Sequence, residues 1–366
     1  MPTTINKSTN FDKQSFFIGI DVHKKSWTVT VRTLNIEVAH FTQEPDARQL
    51  GRCLHNRYPG GNFFSAYEAG FCGTSSHHAL CKAGIKNIII HAGDLPQTDK
   101  QKKTKTDLHD SRAIARYLEV GVLSGIHIMP ADQQERRALY RCREAKVKDV
   151  TRCINRLRSL LYYLGVVLPH AFRDKEYISQ NFLSWVCELK LTTDEGTETL
   201  LQYVEELRYQ RQQLLQLTRK LRKAVTIHFK ESYRSLLTVP GIGPITAMGL
   251  LCETGDLNRF SDPDEFASYL GLIPGEQSSG ETIFSNHIQP RCNTHLRPLL
   301  IEASWTAIRR CPMLLMYYKK HVGKNSKKAI VKVARKLALI AKAVALKKSV
   351  YLSGYTNQPG LLSMAL

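Results

Sequence analysis

Four carboxylates in this chain stand where they can do chemistry on a phosphate. Asp21 closes the apolar run Phe16-Phe17-Ile18-Gly19-Ile20, and Glu68 closes a second, Asn62-Phe63-Phe64-Ser65-Ala66-Tyr67. Asp107 and Asp110 lie three apart on an expected helix, directly after Lys100-Gln101-Lys102-Lys103-Thr104-Lys105-Thr106. Two strand tips and one helix face can bring all four together. Like charges ~4 Å apart repel by roughly 1 kcal/mol in water and more where partly buried. A fold tolerates such a cluster when cations neutralise it. Two hard cations such as Mg2+ or Mn2+, held ~3.5–4 Å apart, would polarise a scissile phosphate and stabilise its entering and leaving oxygens. Taken singly, Asp21 reads as a strand end, and Asp107 as a helix N-cap with Asp110 in the first turn.

A second chemical group lies far along the chain. The stretch Tyr269-Leu270-Gly271-Leu272-Ile273-Pro274-Gly275-Glu276-Gln277-Ser278-Ser279-Gly280 reads as an exposed loop with two adjacent serines. A serine hydroxyl is a weak nucleophile at neutral pH and needs activation. Upstream, Val239-Pro240-Gly241-Ile242-Gly243 sits between two apolar helical segments, a helix-hairpin-helix signature. Gly241 and Gly243 permit a tight turn whose backbone N–H groups can hold a DNA phosphate; a plain packing corner is the alternative.

The elements that must position these groups follow from the pattern. Residues 1–14 are polar. Strand-like runs at Phe16–Val22, Trp27–Thr33 and Glu37–Thr42 suggest a meander. A helix from Asp46 to Tyr58 precedes the strand ending at Glu68; another, Ser75 to Ala83, leads into Asn87-Ile88-Ile89-Ile90-His91, and then comes the helix of Asp107 and Asp110. The order β-β-β-α-β-α-β-α is the RNase H-like arrangement, with carboxylates at the ends of the first and fourth strands. From Ala131 to Phe229, leucines at helical spacing among charged residues predict two long antiparallel helices, linked around Pro169–Asp194, as a coiled-coil-like arm or an ordinary bundle. The resulting boundaries are a tail at 1–14, an α/β catalytic domain at 15–130, a helical arm at 131–230, a mainly helical domain at 231–350 and a tail at 351–366.

Composition bounds the partners. The 366 residues carry 52 Lys and Arg against 32 Asp and Glu, a net charge of +20, which suits a polyanion such as nucleic acid. Lys102, Lys103 and Lys105 beside the acidic pair, and Lys327 and Lys328 on the basic C-terminal helices, are expected phosphate contacts, although a solvated face would look the same. No apolar run approaches the ~20 residues of a membrane span. The N-terminus lacks a signal-peptide core, so a cytoplasmic protein is expected. Nine cysteines with no Cys-x-x-Cys pair argue against a disulfide framework or zinc ribbon. Nor is there a Gly-x-x-x-x-Gly-Lys-Ser/Thr loop for a nucleotide.

These parts in this order resemble the DEDD transposases of insertion-sequence family 110, which join a RuvC-like domain to a serine-bearing transposase domain. The resemblance rests on Ile18-Gly19-Ile20-Asp21-Val22-His23-Lys24, Tyr67-Glu68-Ala69-Gly70, Lys105-Thr106-Asp107-Leu108-His109-Asp110-Ser111-Arg112, Val239-Pro240-Gly241-Ile242-Gly243, Gly271-Leu272-Ile273-Pro274 with Ser278-Ser279-Gly280, and Leu296-Arg297-Pro298-Leu299-Leu300. It implies that Asp21, Glu68, Asp107 and Asp110 bind Mg2+, and that Ser279 is the nucleophile, with Ser278 the near miss. It further implies a prokaryotic, DNA-associated recombinase guided by a structured RNA whose loops pair with target and donor DNA. A tetramer is implied as well, with carboxylates of one subunit serving the serine of another. One departure stands out. The basic segment that commonly follows the family's serine is replaced by Glu281-Thr282-Ile283-Phe284-Ser285-Asn286-His287-Ile288-Gln289-Pro290, leaving Arg291 and Arg297 as the local cations. A RuvC-like junction endonuclease that uses water, or a catalytically silent nucleic-acid-binding protein, are the competing expectations.

Overall fold

The computed structural model describes residues 11–95, 107–173, 177–274, 277–279, 282–284, 288–323 and 325–352. Lys102, Lys103 and Lys105 lie outside the described residues. The chain forms two compact units, Met1–Ile128 and Met129–Leu366.

The first unit is built on a five-stranded mixed sheet of order β3-β2-β1-β4-β5. The strands are β1 (Ser15–Val22), β2 (Trp27–Thr33), β3 (Ile36–Gln43), β4 (Asn62–Glu68) and β5 (Lys86–Ile90). The first three pair antiparallel, whereas β4 and β5 run parallel to β1. With α1 (Ala47–Arg57), α2 (Ser75–Lys82) and α3 (Asp107–Val120), this is the RNase H-like order expected from the sequence. Asp46 caps α1 by accepting hydrogen bonds from the amides of Arg48 and Gln49, a contribution of about 1 kcal/mol.

Both faces of the sheet are covered, so β1 is apolar along most of its length. Phe16, Ile18 and Ile20 point to one face, where they pack with Leu50 and Leu54 of α1 and Leu80 of α2. Each such side chain contributes roughly 1.5–3 kcal/mol when fully buried. The other face carries Ala66 and Ile90, packed with Ile114 of α3.

Gly19 sits under α3. A Cβ there would come within 2.0 Å of the Ser111 carbonyl oxygen and 2.5 Å of the Ala115 nitrogen. A glycine inside a strand is a common mark of such close backbone approach. The buried Ser111 hydroxyl bonds the Thr30 hydroxyl at 3.0 Å, beside Gly19 in the ladder. At the other end of α3, Glu119 accepts from Arg32 Nε at 2.8 Å and from the Asn35 amide at 2.7 Å. Since Arg32 pairs with Phe17, α3 runs antiparallel to β1. Its first turn therefore points toward the tips of β1 and β4.

The second unit is mostly helical. Two long helices, α4 (Ala131–Tyr163) and α7 (Asp194–His228), flank the short helices α5 (His170–Arg173) and α6 (Gln180–Glu188). Arg143 reaches Thr218, Lys146 reaches Gln210 and Arg156 reaches Glu206, so α4 and α7 lie antiparallel. Cys153, Leu157 and Leu161 meet Leu200, Val204 and Leu207 between them, with Phe182, Leu183 and Val186 of α6. At the opposite end of the pair, Tyr140, Leu221 and Val225 join the main core.

That core is made by α8 (Lys230–Leu236), α9 (Pro244–Thr254), α10 (Pro263–Leu270), α11 (Leu296–Arg310), α12 (Pro312–Val322) and α13 (Ser326–Lys347). Every residue of α9 from Thr246 to Thr254 is buried. Between α10 and α11 run two three-residue strands, β6 (Gln277–Ser279) and β7 (Thr282–Phe284), paired antiparallel. Among the described residues no helix is long and apolar enough to cross a membrane. All nine cysteines are free.

Candidate active site

Register brings two of the four acidic residues side by side. Ile20 pairs with Tyr67 across the parallel strands, so Asp21 and Glu68 occupy the next positions on neighbouring strands, ~4.8 Å apart by sheet geometry. They alternate with Ile20 and Tyr67 and so share the face of Gly19 and Ala66, the face that α3 covers. Both are partly buried. The Asp21 side chain is 19% exposed, and its Oδ2 lies 3.1 Å from Nε2 of His23. On the opposite face the Tyr67 hydroxyl donates to the Gly73 carbonyl and accepts from the His77 amide, both at 3.0 Å. Burial, then the neighbouring Cys72, raises the pKa of that phenol well above its ordinary value. The loop that follows Glu68 is thereby tied down from beneath.

Asp110, half-buried, stands in the first turn of α3, one residue before the Ser111 that contacts the sheet. Asp107 is the first residue of that helix, and its side chain lies outside the described residues. At 1.5 Å per residue its backbone sits about 6 Å beyond Ser111 toward the strand tips. The positive end of the helix dipole thus faces the carboxylates and favours their charge. Among the described residues, no three His, Cys, Asp or Glu side chains form a group that could hold a metal ion. The donor chemistry nevertheless fits a hard cation. Asp21, Glu68 and Asp110 offer carboxylate oxygens and no thiolate, the set that Mg2+ or Mn2+ prefers.

The adjacent serines fall on β6. Their backbones pair with β7, Ser278 opposite Ile283 and Ser279 opposite Thr282; their side chains lie outside the described residues. The foot of this hairpin is described. Pro274 bridges Ile288, the Gln289 amide donates to the Ile273 carbonyl at 3.3 Å, and the Asn293 amide donates to the Tyr269 carbonyl at 2.8 Å. Arg297 Nη2 donates to the Gln289 carbonyl and packs where a Cβ on Gly271 would stand. Arg297 therefore braces the foot. Arg291 is exposed on the same stretch.

The remaining expected nucleic-acid contacts are distributed over the second unit. Gly241 has φ +87°, a left-handed conformation that favours glycine. A Cβ there would meet the Ala303 carbonyl at 2.4 Å and the Ala307 Cβ at 2.7 Å, so the turn packs closely on α11. Gly243 caps α9, its carbonyl accepting from the Ala247 amide at 2.9 Å, and a Cβ on it would meet nothing within 4 Å. Lys327 and Lys328 are exposed in the first turn of α13.

Four residues that shape these sites lie outside those expected from the sequence: Gly19, Glu253, Arg141 and Asn293. Gly19 was signalled by a glycine within an otherwise apolar strand. Glu253 was signalled by one carboxylate in the apolar run Leu250-Leu251-Cys252-Glu253. Its partners Arg141 and Asn293 carried no local signal. Glu253 is fully buried, held by the Arg141 fork at 2.7 and 2.8 Å and by Asn293 Nδ2 at 3.0 Å. Burial alone would raise its pKa, but the Arg141 and Asn293 hydrogen bonds and the charges of Arg141 and His295 hold it below its usual value.

Two family models match the chain. One, described as a transposase model of the DEDD IS110 type, covers residues 18–164; the other, "Transposase IS116/IS110/IS902 family", covers residues 233–319. Together they match more than half of the chain. The transposase-like protein y4qE of Sinorhizobium fredii is 25% identical over 300 residues, 81% of this chain and 72% of that protein. The transposase of insertion sequence element IS1111A from Coxiella burnetii is 26% identical over 242 residues, 65% of this chain and 64% of its own length. A pilin gene-inverting protein of Moraxella bovis is 30% identical over 174 residues, 46% of this chain and 51% of its own.

Proposed function

The chain belongs to the IS110 family of transposases, with a DEDD N-terminal and a Transposase_20 C-terminal domain, and on that premise we propose that it cuts and exchanges DNA strands through a phosphoserine intermediate. The observation that carries the reading is the placement of Asp21 and Glu68 on adjacent strand tips, under the helix end that bears Asp107 and Asp110.

Asp21, Glu68, Asp107 and Asp110 would hold divalent cations. Bound there, Mg2+ or Mn2+ would supply charge neutralisation for the attacking and leaving oxygens of a phosphodiester. The residues do the rest. Ser279 attacks the phosphorus; the bond from phosphorus to the 3′-oxygen breaks, and the 3′-hydroxyl departs with a proton. The phosphoserine ester conserves the bond, so a second 3′-hydroxyl can attack it and release the serine without ATP. The Moraxella relative supports this conservative chemistry, because a gene is inverted only when broken ends are rejoined. Double-stranded donor and target DNA are the substrates, consistent with the net charge of +20. The uncrowded helix start at Gly243 and the exposed Lys327, Lys328 and Arg291 suit phosphate contact, as do Lys102, Lys103 and Lys105 by sequence. A structured guide RNA and a tetramer, in which one protomer's serine serves another's carboxylates, complete the proposal.

The test uses a supercoiled plasmid carrying the gene with its native flanking DNA, incubated with full-length protein and Mg2+. The parent should form a covalent protein–DNA species on denaturing gels, with the DNA on Ser279 by peptide mass spectrometry. Ser279→Ala should abolish both the adduct and strand joining, whereas Ser278→Ala should keep them. Asp21→Asn should abolish both as well. Cleavage without an adduct by Ser279→Ala would establish the water-using endonuclease instead. Sequencing the RNA that copurifies with the protein tests guidance: a single structured species is expected, and a random cellular mixture would refute it.

A further inference from the structure

We propose that Asn293, Glu253 and Arg141 form a positioning clamp that fastens the foot of the serine hairpin to the long helix α4. The proposal rests on reading that hairpin as the carrier of the attacking hydroxyl.

The geometry is closed at every step. Arg141 projects from α4 and grips both carboxylate oxygens of Glu253, on α9, at 2.7 and 2.8 Å. Glu253 Oε2 accepts from Asn293 Nδ2 at 3.0 Å. The same amide donates to the Tyr269 hydroxyl at 2.8 Å, and that hydroxyl donates to the Glu253 carbonyl at 2.9 Å. Tyr269, in the last turn of α10, and Asn293, just before α11, bracket the segment that carries the hairpin: the Asn293 amide donates to the Tyr269 carbonyl. The Asn293 Oδ1 atom meanwhile accepts from the amides of His295 and Leu296, at 3.0 Å each, starting α11. A second tie runs beside the first, from His295 Nδ1 to Glu144 of α4, whose other oxygen accepts from the Tyr140 hydroxyl at 2.9 Å.

An apolar core needs none of this. A fully buried carboxylate is retained at a cost that a hydrophobic pair of similar size would avoid. What the ionic set supplies is direction: a fork, an amide and a hydroxyl admit one arrangement, where leucines admit several. Three-residue strands cannot hold a hydroxyl in register by themselves. The clamp supplies the rigidity from below, and positioning to within a fraction of an ångström is what a nucleophile requires.

Asn293→Asp separates the clamp from the helix start, because a carboxylate keeps both acceptor bonds to His295 and Leu296 but loses the two donor bonds. Hydrogen exchange on the full-length protein is the first readout. In Asn293→Asp the amides of β6 and β7 should exchange at least tenfold faster, while those of α11 and α13 stay within twofold of the parent. Excision from the plasmid carrying the gene and its flanks should fall at least tenfold. Parent-like hairpin exchange and excision would overturn the clamp, and so would an equal loss of protection across the whole second unit, which marks a merely structural role. Should Asn293→Asp fail to fold, Arg141→Gln, altered at a half-exposed side chain, carries the same expectation. Ser279→Ala keeps the two readings apart. It should leave hairpin exchange unchanged while abolishing excision; if it excises normally, the serine reading falls while the exchange result still decides the clamp.

Discussion

Replacing Gly19 by alanine should uncouple the acidic helix from the sheet while leaving the surface chemistry of the protein untouched. The added Cβ would stand 2.0 Å from the Ser111 carbonyl oxygen and 2.5 Å from the Ala115 nitrogen. Ordinary contacts of this kind begin near ~3.4 Å, so α3 must retreat by about 1 Å or more. The obstructing atoms are backbone, and no rotamer relieves them. Overpacking by one methyl costs roughly 1–3 kcal/mol, and the rigid obstruction puts this site at the upper end. A thermal melt should show the transition of the first unit lowered by about 4–12 °C, taking 2–4 °C per kcal/mol for a protein of some size. The functional effect should exceed the loss of stability. A displacement of ~1 Å in a catalytic group can cost about 10²-fold in rate, and the residue next to Ser111 is Asp110. Plasmid cleavage by Gly19→Ala should therefore fall ~100-fold at temperatures where the protein is fully folded. A variant that melts with the parent and cleaves at the parent's rate would refute the packing argument. A variant that is destabilised but cleaves normally would show that Asp110 is not needed at its present position.

Arg141→Ala should leave the Glu253 charge buried without its fork. Because Arg141 is 43% exposed, the loss should be less than the 3–5 kcal/mol of a fully buried pair, about 2 kcal/mol, read by urea unfolding of the full chain. The same carboxylate gives a pH dependence of known sign. Its folded pKa lies below the unfolded value, so its stabilisation is complete above ~4.3, the ordinary glutamate value, and drains away as pH falls through the folded pKa. Unfolding curves collected from pH 6 downward should steepen in the parent and lose that component in Glu253→Gln; identical slopes would contradict the assignment. Burial first, then Glu253, pushes the Cys252 thiol up to about 12. A thiol reagent at pH 8 should label the exposed Cys53, Cys81 and Cys142 and spare Cys252 until denaturant is added, as peptide mapping would show.

What the sequence disclosed, it disclosed through local period. The five strands of the first unit alternate or run apolar between turn residues, and their observed limits differ from the expected ones by at most one position. The acidic tips followed because Asp21 and Glu68 end such runs, and a parallel ladder places run ends together. The long helices α4 and α7 were legible from leucine spacing for the same reason. The device around Glu253 was not. Arg141 is 112 residues away from Glu253 and Asn293 is 40, and nothing in the local pattern of either residue points to the other. Arg297 is a second case: its type marks it as a local cation, and its Nη2 bond to the Gln289 carbonyl depends on a partner that only the folded loop supplies.

The two units solve one positional problem with different means. In the first, each of the four proposed carboxylates sits on or at the end of a regular element, and the elements are locked by backbone approach at Gly19 and a buried hydroxyl pair, Thr30 with Ser111 at 3.0 Å. Strand tips inherit the stiffness of the sheet, so no further fastening is required. In the second, the serines sit on a hairpin of two three-residue strands, too short to be stable alone. A hydroxyl that must reach a phosphate held elsewhere benefits from projecting on a loop, but loops are the least rigid part of a fold. The two demands are reconciled only if the stiffness enters at the foot. That is where the fully buried Glu253 lies: Arg141, Asn293 and the Tyr269 hydroxyl converge on it below the hairpin. The ionic network is costly as a source of stability and effective as a source of direction, and its location follows from the second property.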